Sequence, residues 1–232
     1  MDENIIKEYY EKNPEGIEPI PKIPEIYEMH EHIKNSLSNK KYNKLLDIGC
    51  GKGFTGKSII NFCKNYYGID ISSSAVKIAK KKIKNGNFVV GSALNLPYED
   101  KTFDLIVCSE VLEHIPKFKK AIKEISRVVK TNGDVIVTCP NKFNPDMMLK
   151  TYLEGKYTKQ IYDKPIEYYE LIREFKNNNL RVDTFFSFWF FPTNGDSLGE
   201  IELKKQMSLL ESLSNKYKKP LGLYLFFKLR KE

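Results

Sequence analysis

The stretch Leu45-Leu46-Asp47-Ile48-Gly49-Cys50-Gly51-Lys52-Gly53 decides the fold class. Residues 44–50 (KLLDIGC) form a short apolar run, the pattern of a buried strand. Glycines alternate at 49, 51 and 53, where the run ends. Glycine takes the left-handed backbone of a tight turn without steric cost, and its missing side chain lets a ligand touch the main chain. A helical pattern follows over residues 55–64. Strand, glycine turn and helix in that order suit an α/β sheet whose backbone a ligand could touch before the helix begins, a pattern that by itself is not specific.

Working outward, the alternation persists. Strands are predicted at 66–70, 87–91, 103–108 and 134–139. Between them lies a helix over 72–84, capped by Ser72 or Ser73, with Ala75, Val76, Ala79 and Ile83 on one face. A second helix carries Phe118, Ala121, Ile122, Ile125, Val128 and Val129, with Asn132-Gly133 expected as its left-handed stop. Strands apolar nearly throughout belong to a parallel sheet covered on both faces, with right-handed connections. Beyond Pro140, a helix is expected over 165–176, a strongly aromatic strand over 180–191, a helix over 198–214 and a strand over 221–229. The last two strands read as an antiparallel pair at one edge. Before the sheet, short helices at 5–10 and 25–37 flank four prolines, at 14, 19, 21 and 24, that force an extended crossing. The expected architecture is one doubly wound, Rossmann-like domain over 1–232. It divides into a cap or lid (1–43), a cofactor-binding core (44–140) and substrate-side insertions with edge strands (141–232).

Composition agrees. The chain has 232 residues, 41% hydrophobic and 29% charged, too apolar for disorder and too charged for a membrane protein. No apolar run reaches the roughly 18 residues of a spanning helix. The start, Met1-Asp2-Glu3-Asn4, lacks the basic-then-apolar order of a signal peptide, so a cytoplasmic location is expected. Cys50, Cys63, Cys108 and Cys139 stand at no metal-ligand spacing and read as small hydrophobes. The net charge of +8 suggests a polyanion partner. Yet only Arg127, Arg173, Arg181 and Arg230 are arginines, the side chains that grip phosphate bidentately, so nucleic acid is disfavoured.

Gly51, Gly53 and Gly56 also fit the dinucleotide fingerprint G-x-G-x-x-G, and Asp70 lies nineteen residues past Gly51, where a ribose-binding acid is expected. Two acids favour another nucleoside. Asp47, just before the turn, would repel a pyrophosphate but suits the ammonium and sulfonium of S-adenosylmethionine. Asp70, ending the second strand, suits two ribose hydroxyls. The following helix offers its positive end to a carboxylate.

At this point the chain resembles a known family. LLDIGCGKGFTG, YYGIDIS, VVGSALNLPYEDKTFDLIVCSEVLEHI and GDVIVTCPN, in that order, are similar to the motifs of class I S-adenosylmethionine-dependent methyltransferases, nearest the ubiquinone- and menaquinone-type group. The resemblance implies a seven-stranded sheet whose last strand is antiparallel. It implies that Asp47, Gly49, Cys50, Gly51 and Gly53 lie around the methionine part, that Asp70 holds the ribose and that Ile71 packs on adenine. Ser92, Ala93 and Leu94 would line adenine's other side, and Ser109 would lie near the reacting methyl. Ser92 departs from the family, which usually has an acid there to accept from the adenine amino group.

For catalysis the candidate is His114, in Glu110-Val111-Leu112-Glu113-His114 after the fourth strand, because an imidazole titrates near neutrality and this end of the sheet binds ligands. The alternative is that this segment only braces the sheet. The same segment resembles metal-dependent RNA 2′-O-methyltransferases, but those need a second histidine and no histidine follows residue 114, so that metal site is not expected, while a weakly held metal at the Glu/Glu/His pattern, which some quinone methyltransferases resemble, stays open. The aromatic run 185–191 is compatible with an acceptor pocket, a lipid-facing patch or a strand packed on both faces, and Tyr9 and Tyr10 with a lid. The reading is methyl transfer to a small or amphipathic molecule. An RNA methyltransferase, a nicotinamide oxidoreductase and a non-catalytic cofactor-binding subunit are the rivals. Peripheral membrane contact and oligomeric state stay open.

Overall fold

A computed structural model describes residues 3–12, 24–37, 40–142, 164–188 and 222–232. Seven strands form one sheet in the order β3-β2-β1-β4-β5-β7-β6. They are β1 (Tyr42–Ile48), β2 (Cys63–Asp70), β3 (Asn87–Val90), β4 (Phe103–Ser109), β5 (Val129–Pro140), β6 (Leu180–Phe188) and β7 (Tyr224–Lys231). β7 runs antiparallel to both neighbours, so the other six point one way. The expected mostly parallel sheet is therefore present, with β7 wedged between β5 and the edge strand β6.

Alternate side chains of each inner strand enter different cores, as the pleat requires. Leu46, Ile48, Ile106, Val135 and Val137 pack under α5 (Phe118–Val128) and α6 (Tyr168–Asn177). Leu45, Leu105, Val107 and Ile136 pack under α2 (Pro24–Leu37), α3 (Phe54–Ile59) and α4 (Ser73–Lys82). Ser72 caps α4, accepting from the Ala75 amide at 3.2 Å. The aromatic strand is packed on both faces: Phe185 stacks on Phe227, and Phe186 stacks on Phe226. Residues 189–191 of that run, the expected helix at 198–214 and prolines 14, 19 and 21 of the expected crossing lie outside the described residues, whereas Pro24, expected in that crossing, opens α2, where its missing N–H costs nothing.

Several boundaries differ from expectation: β5 starts at Val129 rather than 134 and β7 spans Tyr224–Lys231 rather than 221–229. The helix predicted over 55–64 ends at Ile59, and after one tight turn β2 begins at Cys63. The start of β1 offers Cys63 and Asn65 open backbone partners at Tyr42 and Lys44, and that pairing overrides helix propensity. Asn132 does adopt a left-handed backbone (φ 61°), but inside β5 rather than as a helix stop. The Lys101 and Thr102 amides bond Arg127 and Val128 carbonyls, ending α5 early, and Asn132 sits in a kink before Asp134 rejoins Leu105. Finally, α6 starts at Tyr168 rather than Pro165.

Candidate active site

The crest formed by the carboxyl ends of the parallel strands carries the polar chemistry. Gly49, Gly51 and Gly53 all have positive φ, so the chain turns sharply off β1 before α3 begins. The Gly49 and Cys50 amides both donate to the Ile69 carbonyl, pinning the turn to β2. A Cβ on Gly49 would lie 2.3 Å from Val111, so here the turn requires glycine. Asp70 completes the clamp. One carboxylate oxygen accepts from the Gly51 amide at 2.8 Å and the other from the Ser72 amide at 2.9 Å. Each oxygen has a second lone pair, so the same carboxylate retains capacity for two hydroxyl donors.

Asp47 lies below this turn, 1% exposed, and accepts from the Tyr66 hydroxyl at 2.6 Å. Burial pushes its carboxyl up to about 7, against the lowering effect of Tyr66, and the nearby Asp70 charge adds to the rise. Burial likewise raises Asp70, against its backbone donors. Two raised acids beneath one glycine turn make this the electrostatically tuned end of the sheet.

Across the crest, the Ser109 and Thr138 hydroxyls are 2.8 Å apart, and both contact the Met29 sulfur of α2, at 3.2 and 3.4 Å. Thr138 also donates to the Glu110 carboxylate at 3.0 Å. Glu110 has φ 55°, a backbone few non-glycine residues adopt, which turns the chain off β4. The following short turn brings up His114, whose Nε2 lies 3.5 Å from an oxygen of the buried Glu113. Over this crest lies α1 (Glu3–Lys12). The Tyr10 ring centre is 6.2 Å from that of His114, and the Tyr10 carbonyl accepts from Ser72 at 3.3 Å. Glu11 takes the Ser73 and Ser74 amides at 2.7 and 3.2 Å, capping α4. Glu3 accepts from the Ser92 hydroxyl, which in turn accepts from the Leu94 amide at 2.9 Å.

Residues 46–137 match the family model described as a methyltransferase domain. The chain is 30% identical over 168 residues to the uncharacterized protein MJ0638 of Methanocaldococcus jannaschii, covering 72% of this chain and 68% of that protein. The chain belongs to the class I S-adenosylmethionine-dependent methyltransferases. The demethylmenaquinone methyltransferase of Staphylococcus epidermidis is 26% identical over 165 residues, covering 64% of this chain and 68% of that one. In fold, this methyltransferase is similar to the N-methyltransferase NodS of Bradyrhizobium japonicum, solved with S-adenosylhomocysteine. The TM-score is 0.69 at 16% identity, over 97% of this chain and 98% of that one.

S-adenosylmethionine is the cofactor of this methyltransferase, and the donor set suits it. A clamped carboxylate at the end of β2, a glycine turn beside it and hydroxyls at the end of β4 match a molecule with ribose hydroxyls and a cationic amino-acid tail. Of the residues singled out from sequence, Asp47, Gly49, Cys50, Gly51, Gly53 and Asp70 come together around the turn, with Ile71 half-buried beside them. Ser92, Ala93 and Leu94 follow β3, Ser109 ends β4 and His114 follows it along the same crest. Sequence reasoning missed Tyr66, Thr138, Met29, Glu3 and Glu11. Only Tyr66 left a signal, as a tyrosine in a strand that must pair beside Asp47. Among the described residues, no cluster of three or more histidine, cysteine or acidic side chains could hold a metal, and no helix is long and apolar enough to cross a membrane.

Proposed function

We propose that this methyltransferase modifies a small or amphipathic molecule, held between α1, α2 and the ends of β4 and β5. The carrying observation is the acceptor side of the crest. The described side chains there include the Met29 thioether, the Val111 side chain and the Tyr10 ring, beside the Ser109 and Thr138 hydroxyls, the Glu110 carboxylate and the His114 ring. The arginines do not favour a polyphosphate: Arg127 is tied to Glu124 and Asp100, and Arg230 to Asp134 and Asp183. Similarity to a demethylmenaquinone methyltransferase, named for an amphipathic quinone, supports the same class.

The division of labour follows from the residues. Asp70 would hold the ribose hydroxyls while keeping its Gly51 and Ser72 donors. The first turn of α3 would face the methionine carboxylate, the Gly49, Cys50 and Gly51 amides being held by the Ile69 carbonyl and Asp70. When bound, the cofactor supplies an electrophilic methyl on an already activated sulfonium, so the protein chiefly aligns and dehydrates the reactants. The helix α1, docked on Ser72–Ser74 and Ser92, acts as the lid that excludes water. For a hydroxyl acceptor, His114 takes the departing proton, and the Glu113 carboxylate beside Nε2 stabilises the resulting imidazolium. The test is transfer of tritiated methyl into fractionated cell extract, split into lipid, small-molecule, RNA and protein pools. Label is expected in the lipid or small-molecule pool; label concentrated in RNA would overturn the acceptor class.

A further inference from the structure

The loop after β3 ends beside the clamped Asp70, because the Gly91 amide donates to the Asp70 carbonyl at 2.9 Å. The first side chain of that loop, Ser92, is a neutral hydroxyl. Its oxygen accepts from the Leu94 amide and its hydrogen goes to Glu3, eighty-nine residues away in the chain. A carboxylate is thus carried into this loop by α1.

The placement is built into α1. Glu3, Ile6, Tyr10 and Glu11 stand at helix positions that share one face. Ile6 is buried, Tyr10 and Glu11 fasten to Ser72, Ser73 and Ser74 at the head of α4, and Glu3 fastens to Ser92. The two acids are separated by about 12 Å along the axis. The helix therefore bridges the ribose-side acid, Asp70, and the loop after β3. Glu3 is only half-buried, so its carboxylate has room to accept beyond Ser92.

We propose that Glu3 is a cofactor-binding residue, accepting a hydrogen bond from the exocyclic amino group of adenine, so that the lid helix itself reads the base. This rests on the cofactor placement proposed above: a ribose held at Asp70 carries its base towards the loop after β3, which Gly91 ties to the Asp70 carbonyl. A carboxylate accepts but cannot donate. It therefore favours a 6-amino purine and repels a 6-oxo purine, whose carbonyl would face it. It also couples base recognition to closure: α1 can seat Glu3 on the base only when it is docked on α4.

The test is calorimetric binding of S-adenosylhomocysteine and its 6-oxo analogue, S-inosylhomocysteine, to the full chain, to Glu3→Gln and to Glu11→Gln. Wild type should prefer the adenosyl compound by about tenfold or more, the value of one charge-assisted hydrogen bond. Glu3→Gln replaces a pure acceptor by an amide that both accepts and donates, so the preference should shrink to about twofold or less. Glu11→Gln loosens α1 without touching the base, so both compounds should weaken together and the preference should persist. If Glu3→Gln keeps the full preference, or weakens both compounds equally, Glu3 is only a latch and the inference is wrong. If wild type binds neither compound, the cofactor placement fails and this inference with it.

Discussion

Asp47→Asn isolates the charge buried beneath the glycine turn. The substitution conserves volume and leaves an oxygen to accept from Tyr66. In the folded chain the Asp47 carboxyl is raised from 3.8 to about 7 by burial, whereas in the unfolded chain it keeps its ordinary value. Because the folded value is the higher one, the folded state holds a proton that the unfolded state releases. The stability associated with the neutral acid is complete below about pH 4 and drains away as pH climbs towards 7. Each unit of difference is worth about 1.4 kcal/mol, so an ionised Asp47 costs about 4 kcal/mol at pH 8 relative to the neutral acid. Between pH 5 and 8 the wild type should lose about 2.5 kcal/mol that Asp47→Asn does not lose. Urea unfolding of both proteins at the two pH values, without cofactor, measures this as a widening gap in favour of the variant. A gap that stays constant would mean that Asp47 is already ionised in the folded protein. Added S-adenosylmethionine should reverse the order at pH 8, stabilising wild type more than the variant, since its cationic groups favour the ionised acid.

Four further outcomes are expected. Gly49→Ala should cost about 2–3 kcal/mol in urea unfolding, because the new methyl meets Val111 at a backbone with φ 67°; wild-type stability would refute the turn. Asp70→Ala should raise the dissociation constant for S-adenosylhomocysteine by about thirtyfold or more, since it removes both the ribose acceptor and the clamp on Gly51 and Ser72; unchanged calorimetric binding would move the ribose elsewhere. With a hydroxyl acceptor, His114→Ala should lower turnover by about a hundredfold and abolish the acid limb of its pH profile, while S-adenosylhomocysteine binding persists; an unchanged profile leaves the histidine a brace. A thiol reagent at pH 8 should find no fast-reacting cysteine, since Cys50, Cys108 and Cys139 are buried and burial pushes the partly covered Cys63 up to about 11; a rapidly labelled thiol would show the cores are more open.

What could be read from the sequence was local. The apolar runs of β1, β4 and β5 and the alternating glycines are contiguous, and each is specified by its own neighbours. The positive φ at Asn132 was legible too, since Asn-Gly carries it, but a kink within a strand and a helix stop need the same dipeptide. The start of β2 was hidden because Cys63-Lys64-Asn65 has no apolar period; pairing with β1 makes it a strand. The site divides the same way. Gly49 to Gly53 and Asp70 announce themselves by spacing. Glu3 with Ser92, Glu11 with Ser73, and Met29 with Ser109 are joined only once helices dock across the sheet. No periodicity encodes such partners, because a polar side chain on a helix surface looks the same whether it meets water or another loop.

The position of β7 bears on how the chain is made. Among the described residues β6 pairs with β7 alone, and β5 presents a row of unpaired backbone N–H and C=O groups until β7 covers it. During vectorial synthesis the first five strands emerge with that edge bare, and β6 waits beside it without a partner. Residues 224–231 act as a closing wedge, so the sheet is complete only once they are in place. In the interval, the bare β5 edge is the surface on which a second nascent chain would dock.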